Sequence, residues 1–296
     1  MRVLAIVVTF NRLVLLKECL SSLRKQSYPI SDLLVVNNGS SDGTTEWLAE
    51  QEGVIVITQK NEGGAGGFYT GLKWAQERGA YDWVWVMDDD VEADSGCLST
   101  MLSHQSESKL LMPLKRRYGT DELAEDTCVD YNLRNPFKRR NNSVSRVYPT
   151  DGLPKLIATD DTSFEGLLIH TSVLGKIGYP RKDFFIIGDD TEYGLRFKKS
   201  CGEKAVIVTS AKMLRKNQCG PFPLWKYYYL VRNTACLYRI YAPSFIMRRY
   251  AIVFCLKEIA KGLLKLQFER VKIVGWALLD SRRRVMENRY LPEGSK

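Results

Sequence analysis

The chain is predicted to fold as an α/β protein on a mostly parallel sheet, with a basic helical extension at its C-terminal end. Three features lead there. Strongly apolar, β-prone runs recur through the first hundred residues, amphipathic helical patterns separate them, and each run ends in polar, glycine-rich or acidic residues. Runs without polar alternation read as strands buried on both faces, and helices between such strands make βαβ units.

The elements follow in order. RVLAIVVTF (2–10) reads as a strand, and 13–26 as a helix with Leu16, Leu20 and Leu23 on one face. DLLVVNNG (32–39) is a strand ending in a turn, 44–51 a short helix, and VIVITQ (54–59) a third strand. A helix is predicted over 68–78, closed by Gly79, and WVWVMDDD (83–90) is the fourth strand. Residues 113–155 mix charge, Asn and Pro with weak periodicity and read as a long excursion. PKLIATDDTSFEGLLIH (154–170) looks β-rich, TSVLGKIG (171–178) is a short helix, FFIIGDDTEYGLRFKKSCG (184–202) a strand end running into a helix, and KAVIVTSA (204–211) another strand. From Phe222 the pattern is helical, so a division into 1–221 and 222–296 is expected.

Bulk properties remove several classes. With 296 residues, 45% of them apolar, the chain can bury one sizeable core, with or without a smaller appended unit. No apolar segment with a cleavage site follows Met1, and no uncharged run approaches the roughly 18 residues that span a bilayer. Seven scattered cysteines without a CxxC argue against disulfides and zinc and for a reducing cytoplasm. Two histidines, His104 and His170, leave little room for histidine-based catalysis. Net charge is +9, unevenly spread: from Lys212 onward there are 18 Lys+Arg and 5 Asp+Glu, against 25 and 29 before it. The tail therefore suits an anionic partner, such as a membrane surface, nucleic acid or another protein, whereas the body is mildly acidic. The acidic body argues against a nucleic-acid-binding module.

Ligands of parallel α/β sheets gather at the carboxyl ends of the strands, here TFNR, NNGSSDG, QKNEGGAGG and DDD. The first strand is not followed by GxGxxG, and no GxxxxGK[ST] occurs, so neither a dinucleotide fold nor a P-loop is indicated. The glycines at 63, 64, 66 and 67 would let backbone amides approach a diphosphate, although a turn at a helix N-terminus would look similar. Asp88, Asp89 and Asp90 stand together at the end of a buried strand, a costly arrangement unless a cation or a hydrogen-bond network holds it. Carboxylates facing a diphosphate across one sheet edge suit Mg²⁺ or Mn²⁺, with the outer two aspartates converging.

TFNR, NNGSSDG, DDD and GDDTEYGLR together resemble the inverting glycosyltransferases of family 2, which have a GT-A fold. NEGGAGGF followed by WVWVMDDD is most similar to bacterial galactofuranosyltransferases, which use UDP-galactofuranose. The resemblance covers about 2–235, with the motifs in the family's order. It implies transfer of a sugar from a UDP donor to a glycan, often lipid-linked, in cell-surface polysaccharide synthesis such as O-antigen or capsule. The alternatives are a rhamnosyltransferase using dTDP-rhamnose and, further off, a sugar-phosphate nucleotidyltransferase.

The resemblance also implies roles. Thr9, Phe10 and Arg12 would flank the nucleotide, and Asn38 would meet the uracil. Asn61, Gly63, Gly64, Ala65 and Gly66 would cradle diphosphate and sugar. Asp88 and Asp90 would hold the metal, with Asp89 nearer the sugar or ribose. Asp189, Asp190 and Glu192 form the acceptor-side cluster, in which Asp190 would be the base; the competing reading is N-capping of the helix that follows, and the two roles can coexist if Asp189 caps and Asp190 faces the cleft. One departure stands out. The histidine that relatives often give the metal is missing, and Arg215 or Lys216 occupies its place, leaving either fewer protein ligands or a cation set against the diphosphate. Arg232 and Asn233 match the family's RN after YY. Lys257, Lys261 and Lys265 recur every four residues beside Ile252, Leu256, Ile259 and Leu263, as in a helix lying on an anionic leaflet or at a homo-oligomer contact. Attachment at the inner face of the cell membrane is thus compatible with the cytoplasmic expectation.

Overall fold

The structure, a computed structural model, describes residues 1–291 apart from 125–127, 136–137, 139–140, 150–151, 217–222, 284–285 and 287. Its centre is a nine-stranded sheet. Strands β1 (Val3–Thr9), β2 (Asp32–Asn37), β3 (Val54–Thr58) and β4 (Trp83–Asp88) are parallel in the order β3-β2-β1-β4. These are the four strands expected from the apolar runs. Burial on both faces explains the composition of β1, β2 and β4, whereas β3 is the partly exposed edge strand. In β4, Val84 and Val86 pack into one core layer, and Trp83, Trp85 and Met87 into the other. Helix α1 (Leu13–Arg24) covers the second face through Leu16, Leu20 and Leu23, while α2 (Thr44–Ala49) adds Leu48.

Beyond β4 the sheet becomes mixed. A short β5 (Val91–Ala93) and helix α4 (Cys97–Leu102) lead to β6 (Leu110–Arg117), while β10 (Leu167–His170) inserts antiparallel between β4 and β6. The long β11 (Ala205–Arg215) lies parallel to β6 and carries β5 and β9 (Leu156–Thr159), both antiparallel. The excursion expected over 113–155 is therefore only partly one. Its first residues belong to β6, disguised by Lys115, which is 4% exposed because it is paired. Further on, β7 (Cys128–Tyr131) and β8 (Asn141–Ser143) form a separate two-stranded sheet, followed by the short α5 (Val144–Val147).

Two further boundaries differ from expectation. Helix α3 (Gly63–Arg78) starts five residues early and takes in the whole glycine cluster. The segment FFII is not a strand end but an irregular loop after the one-turn α6 (Leu174–Ile177), with Phe185 and Ile187 at φ +63° and +66°. It leads into α7 (Asp189–Cys201).

Three helices complete the fold: α8 (Leu224–Tyr241), α9 (Phe245–Leu264) and α10 (Phe268–Asp280). Their core includes Ala65, Phe184 and Phe185 from the α/β body, so they pack directly on the loop before α7. The expected boundary at 221/222 lies outside the described residues. The described cysteines, among them Cys19, Cys97 and Cys236, are all free. Among the described residues no helix is long and apolar enough to cross a membrane.

Candidate active site

Three like charges at the end of β4 are held first by the protein itself. Asp89 is 3% exposed; its Oδ2 accepts from Thr9 Oγ1 at 2.7 Å and its Oδ1 from Arg12 Nη1 at 3.2 Å. Arg12 also donates to Asp90 Oδ2 at 2.9 Å. Burial pushes the Asp89 carboxyl up to about 6 even against Arg12 and the Thr9 hydroxyl. Asp89 is thus a buried brace between β1 and β4, where the sequence suggested a sugar or ribose contact. Thr9, 1% exposed, serves the same brace. Arg12 keeps about a third of its side chain exposed and remains able to meet an anion. Phe10 lies partly exposed beside it.

The outer aspartates converge, and a third carboxylate joins them. Ligand oxygens of Asp88, Asp90 and Glu165 lie within 4.8 Å of one another. Burial, reinforced by Asp90, Glu165 and Asp89, pushes the Asp88 carboxyl well above its ordinary range. Asp90 Oδ1 is buried and meets no hydrogen-bond partner among the described residues. An orphaned anionic oxygen beside two further carboxylates is costly in isolation, and the all-oxygen donor set suits a hard divalent cation. The residues present therefore fit Mg²⁺ or Mn²⁺.

Glu165 escaped the sequence reading. It precedes β10, whose antiparallel pairing of Leu167 with Val86 sets it beside the end of β4. Trp85 Nε1, donating to Gly166 O at 2.9 Å, fixes the turn. Glu165 is held by Lys115 Nζ at 2.8 Å and Arg215 Nε at 2.9 Å. Arg215, one of the two cations expected near the metal, thus faces the acidic group through Glu165. Lys216 does not, because its ammonium pairs with Glu18 at 2.8 Å and Glu92 at 2.6 Å.

The glycine cluster proves to be a packing device as well as a strand-end motif. Gly63 has φ +73°, and a Cβ there would lie 2.1 Å from Phe185 O. A Cβ at Gly67 would lie 2.4 Å from Val8 Cγ1. Only glycine permits this approach of α3 to the sheet and to the loop before α7. Two amides expected to cradle a diphosphate are engaged internally: Gly63 N–H donates to Asn61 Oδ1 at 2.9 Å and Ala65 N–H to Phe185 O at 3.1 Å. Gly64 stays partly exposed and Gly66 abuts the Glu62 side chain. Asn38, expected at the uracil, is 2% exposed; it donates to Gly63 O at 3.0 Å and accepts from Gln59 at 2.8 Å. In this structure it ties β2 to the start of α3.

The second acidic group sits at the N-terminus of α7. Gly188, at φ +82°, occupies the N-cap position with no side-chain cap, so Asp189 is not the capping residue. Asp189 is 6% exposed, and burial pushes its carboxyl up to about 7. Asp190 keeps partial exposure; its Oδ1 accepts from Thr191 N–H at 2.7 Å. Burial, with Asp189 and Asp161 adding to it, pushes the Asp190 carboxyl well up. Glu192 is 2% exposed and paired to Arg196 at 2.8 Å, which leaves it a structural residue. The segment TDDTSFE joins the two groups: Thr162 Oγ1 donates to Asp190 O at 2.6 Å, and Glu165 reaches the aspartates of β4.

Arg232 and Asn233 of α8 hold the loop before the pair. Arg232 donates to the carbonyls of Asp183 and Phe184, and Asn233 Nδ2 lies within 3.0 Å of those of Phe184, Ile186 and Ile187. Left-handed backbone at Phe185 and at β-branched Ile187 costs about 1–2 kcal/mol each and persists only where neighbours enforce it. Asn233→Ala should therefore let the loop relax and shift the acids of α7. The expected result is a kcat about 10²-fold lower with unchanged Mn²⁺ affinity, measured by steady-state kinetics and metal titration. A parallel loss of metal affinity would mean that the damage had spread beyond the loop.

A mostly parallel sheet with one acidic group at the end of β4 and another at the start of α7 is the arrangement of a GT-A fold. Two likenesses among solved structures bear out the fold: GalNAc-T7 with UDP, GalNAc and Mn²⁺ (TM-score 0.63, 13% identity, 96% of this chain and 58% of that one) and S. aureus TarS 1–349 in complex with UDP-GlcNAc (TM-score 0.60, 14% identity, 96% and 82%). The model of glycosyl transferase family 2 matches residues 4–151, and the chain belongs to that family. It is 32% identical over 208 residues to galactofuranosyltransferase GlfT1 of Mycobacterium tuberculosis, a match spanning 67% of this chain and 65% of that relative's length.

Proposed function

We propose that this glycosyltransferase moves galactofuranose from UDP-galactofuranose to a glycan acceptor, lipid-linked in its natural form, with inversion at the anomeric carbon. The observation that carries the reading is the pairing of a carboxylate trio, Asp88, Asp90 and Glu165, with a separate, partly exposed carboxylate, Asp190, across one short segment. NEGGAGGF and the 32% identity to a galactofuranosyltransferase favour this donor over dTDP-rhamnose. Family membership sets the nucleotidyltransferase alternative aside.

Asp88, Asp90 and Glu165 would hold Mn²⁺ or Mg²⁺, which when bound lowers the cost of charge developing on the departing diphosphate. Arg12, already between Asp89 and Asp90, is the exposed cation that meets the phosphates. Lys115 and Arg215 hold the Glu165 carboxylate in place. Asp190 takes the proton from the acceptor hydroxyl as that oxygen bonds to C1 of the sugar. The C1–O bond to UDP breaks on the opposite face, and UDP leaves with the electron pair. Burial that raises the affinity of Asp190 for a proton suits it to this task.

The test is UDP or dTDP release from a donor panel with lipid-linked acceptors. UDP-galactofuranose should be consumed with the highest kcat/KM; efficient turnover of dTDP-rhamnose without UDP-galactofuranose would replace the donor assignment.

A further inference from the structure

The sequence suggests that α9 is amphipathic, with one apolar face. The structure shows two. Met247, Ala251 and Cys255 are buried against α8 and α10, yet the opposite side is also apolar and faces outward. Ile246 (80% exposed), Val253 (43%), Leu256 (55%) and Leu264 (86%) recur at helical spacing, and Leu266 (75%) and Phe268 (66%) extend this strip around the turn into α10. Surface apolar residues are usually scattered; a continuous strip marks a contact.

Charge identifies the partner. Residues 244–291 carry 11 Lys+Arg against 4 Asp+Glu. Two of these acids are consumed inside: Glu258 pairs with Lys261 and Arg270, and Asp280, fully buried, with Arg289. Exposed Arg249, Lys257, Lys265 and Lys272 thus rim the strip with little acidic counterweight. A second copy placed symmetrically on this face would bring like charges together. A surface with an apolar interior and anionic headgroups matches both components.

We propose that the outer face of α9 and the α9–α10 turn dock on an anionic lipid surface. Because α8, against which α9 packs, also clamps the loop before Asp189, docking would couple the membrane to the acceptor side of the site. The proposal is independent of the donor assignment, since its readout requires no turnover.

The full chain is sedimented with vesicles of phosphatidylcholine and phosphatidylglycerol, or of phosphatidylcholine alone. Wild type should bind the mixed vesicles and be released as salt rises. The variant L264S/L266N/F268S should bind about tenfold or more weakly, since lipid anchoring scales with buried apolar surface. R249Q/K257Q/K265Q should lose preference for the anionic vesicles by about fivefold per cation. UDP affinity and melting temperature should match wild type in both. Equal binding of wild type to the two vesicle types, or undiminished binding of both variants, would overturn the proposal. So would a wild-type dimer that the apolar variant converts to monomer, which would make a second copy the occupant.

Discussion

Asp190→Asn is expected to lower transfer by about 10²–10⁴-fold, the usual contribution of a positioned general base. The substitution is gentle in every other respect. An amide oxygen can still accept from Thr191 N–H, now at 2.7 Å, and removing the charge relieves repulsion from Asp189 and Asp161. Melting temperature should therefore hold or rise while turnover collapses. UDP affinity should stay near wild type, because the proposed donor contacts lie at Arg12 and the end of β4. The pH dependence gives a second check. A base works only when unprotonated, and burial raises the pKa of this carboxyl. Activity should thus fall as pH drops through an apparent pKa above the ordinary carboxylate value of about 4. The limb belongs to the Asp189–Asp190 pair as a whole. Asp161→Asn, which removes a neighbour that raises it, should move the limb to lower pH. Near-normal turnover by Asp190→Asn would pass the role to Asp189, since Glu192 is committed to Arg196.

Asp90→Asn should be as damaging through a different route. Its Oδ2 can be replaced as an acceptor for Arg12, but the buried Oδ1 becomes part of a neutral amide. Affinity for Mn²⁺ should fall by at least the roughly 10–100-fold typical of perturbing a metal site, and metal-dependent turnover with it. Stability should move the other way. Four carboxylates, Asp88, Asp89, Asp90 and Glu165, are opposed by Arg12, Lys115 and Arg215, and relieving one negative charge lessens a repulsion that raises the Asp88 pKa. An unchanged or higher melting temperature alongside lost metal affinity would mark the cluster as retained for function rather than for folding. A large drop in melting temperature would instead make Asp90 a structural residue paired to Arg12.

The halves of this site were not equally legible in the sequence. Strands β1, β2 and β4 were, because burial on both faces demands unbroken apolar runs such as WVWVM, and the edge strand β3 was legible from the β-branched run VIVIT. Asp88 and Asp90 were legible as a pair because they sit where such a strand must end. Glu165 was not: it follows Asp88 by 77 residues and reaches it only because β10 inserts antiparallel, a pairing that the run SFEGLLIH does not announce. The strand at 110–117 was hidden by Lys115, a charge that is buried only because Glu165 meets it. The glycines at 63–67 read as a loop because helix propensity disfavours them, yet contacts with Phe185 and Val8 override that preference and put them in α3. Arg232 and Asn233 could be singled out, but what they hold could not, since the left-handed residues Phe185 and Ile187 look like a strand in sequence.

The central claim is that Asp88, Asp90 and Glu165 form one cation seat that also binds the donor diphosphate. Calorimetric titration of UDP into the full chain, with Mn²⁺ present and then in excess chelator, tests it most directly. Affinity for UDP should be at least about tenfold higher with Mn²⁺ in wild type, and that difference should shrink markedly in Glu165→Gln, whose side chain keeps its size but not its charge. Equal UDP affinity in Mn²⁺ and in chelator, for wild type and variant alike, would contradict the account.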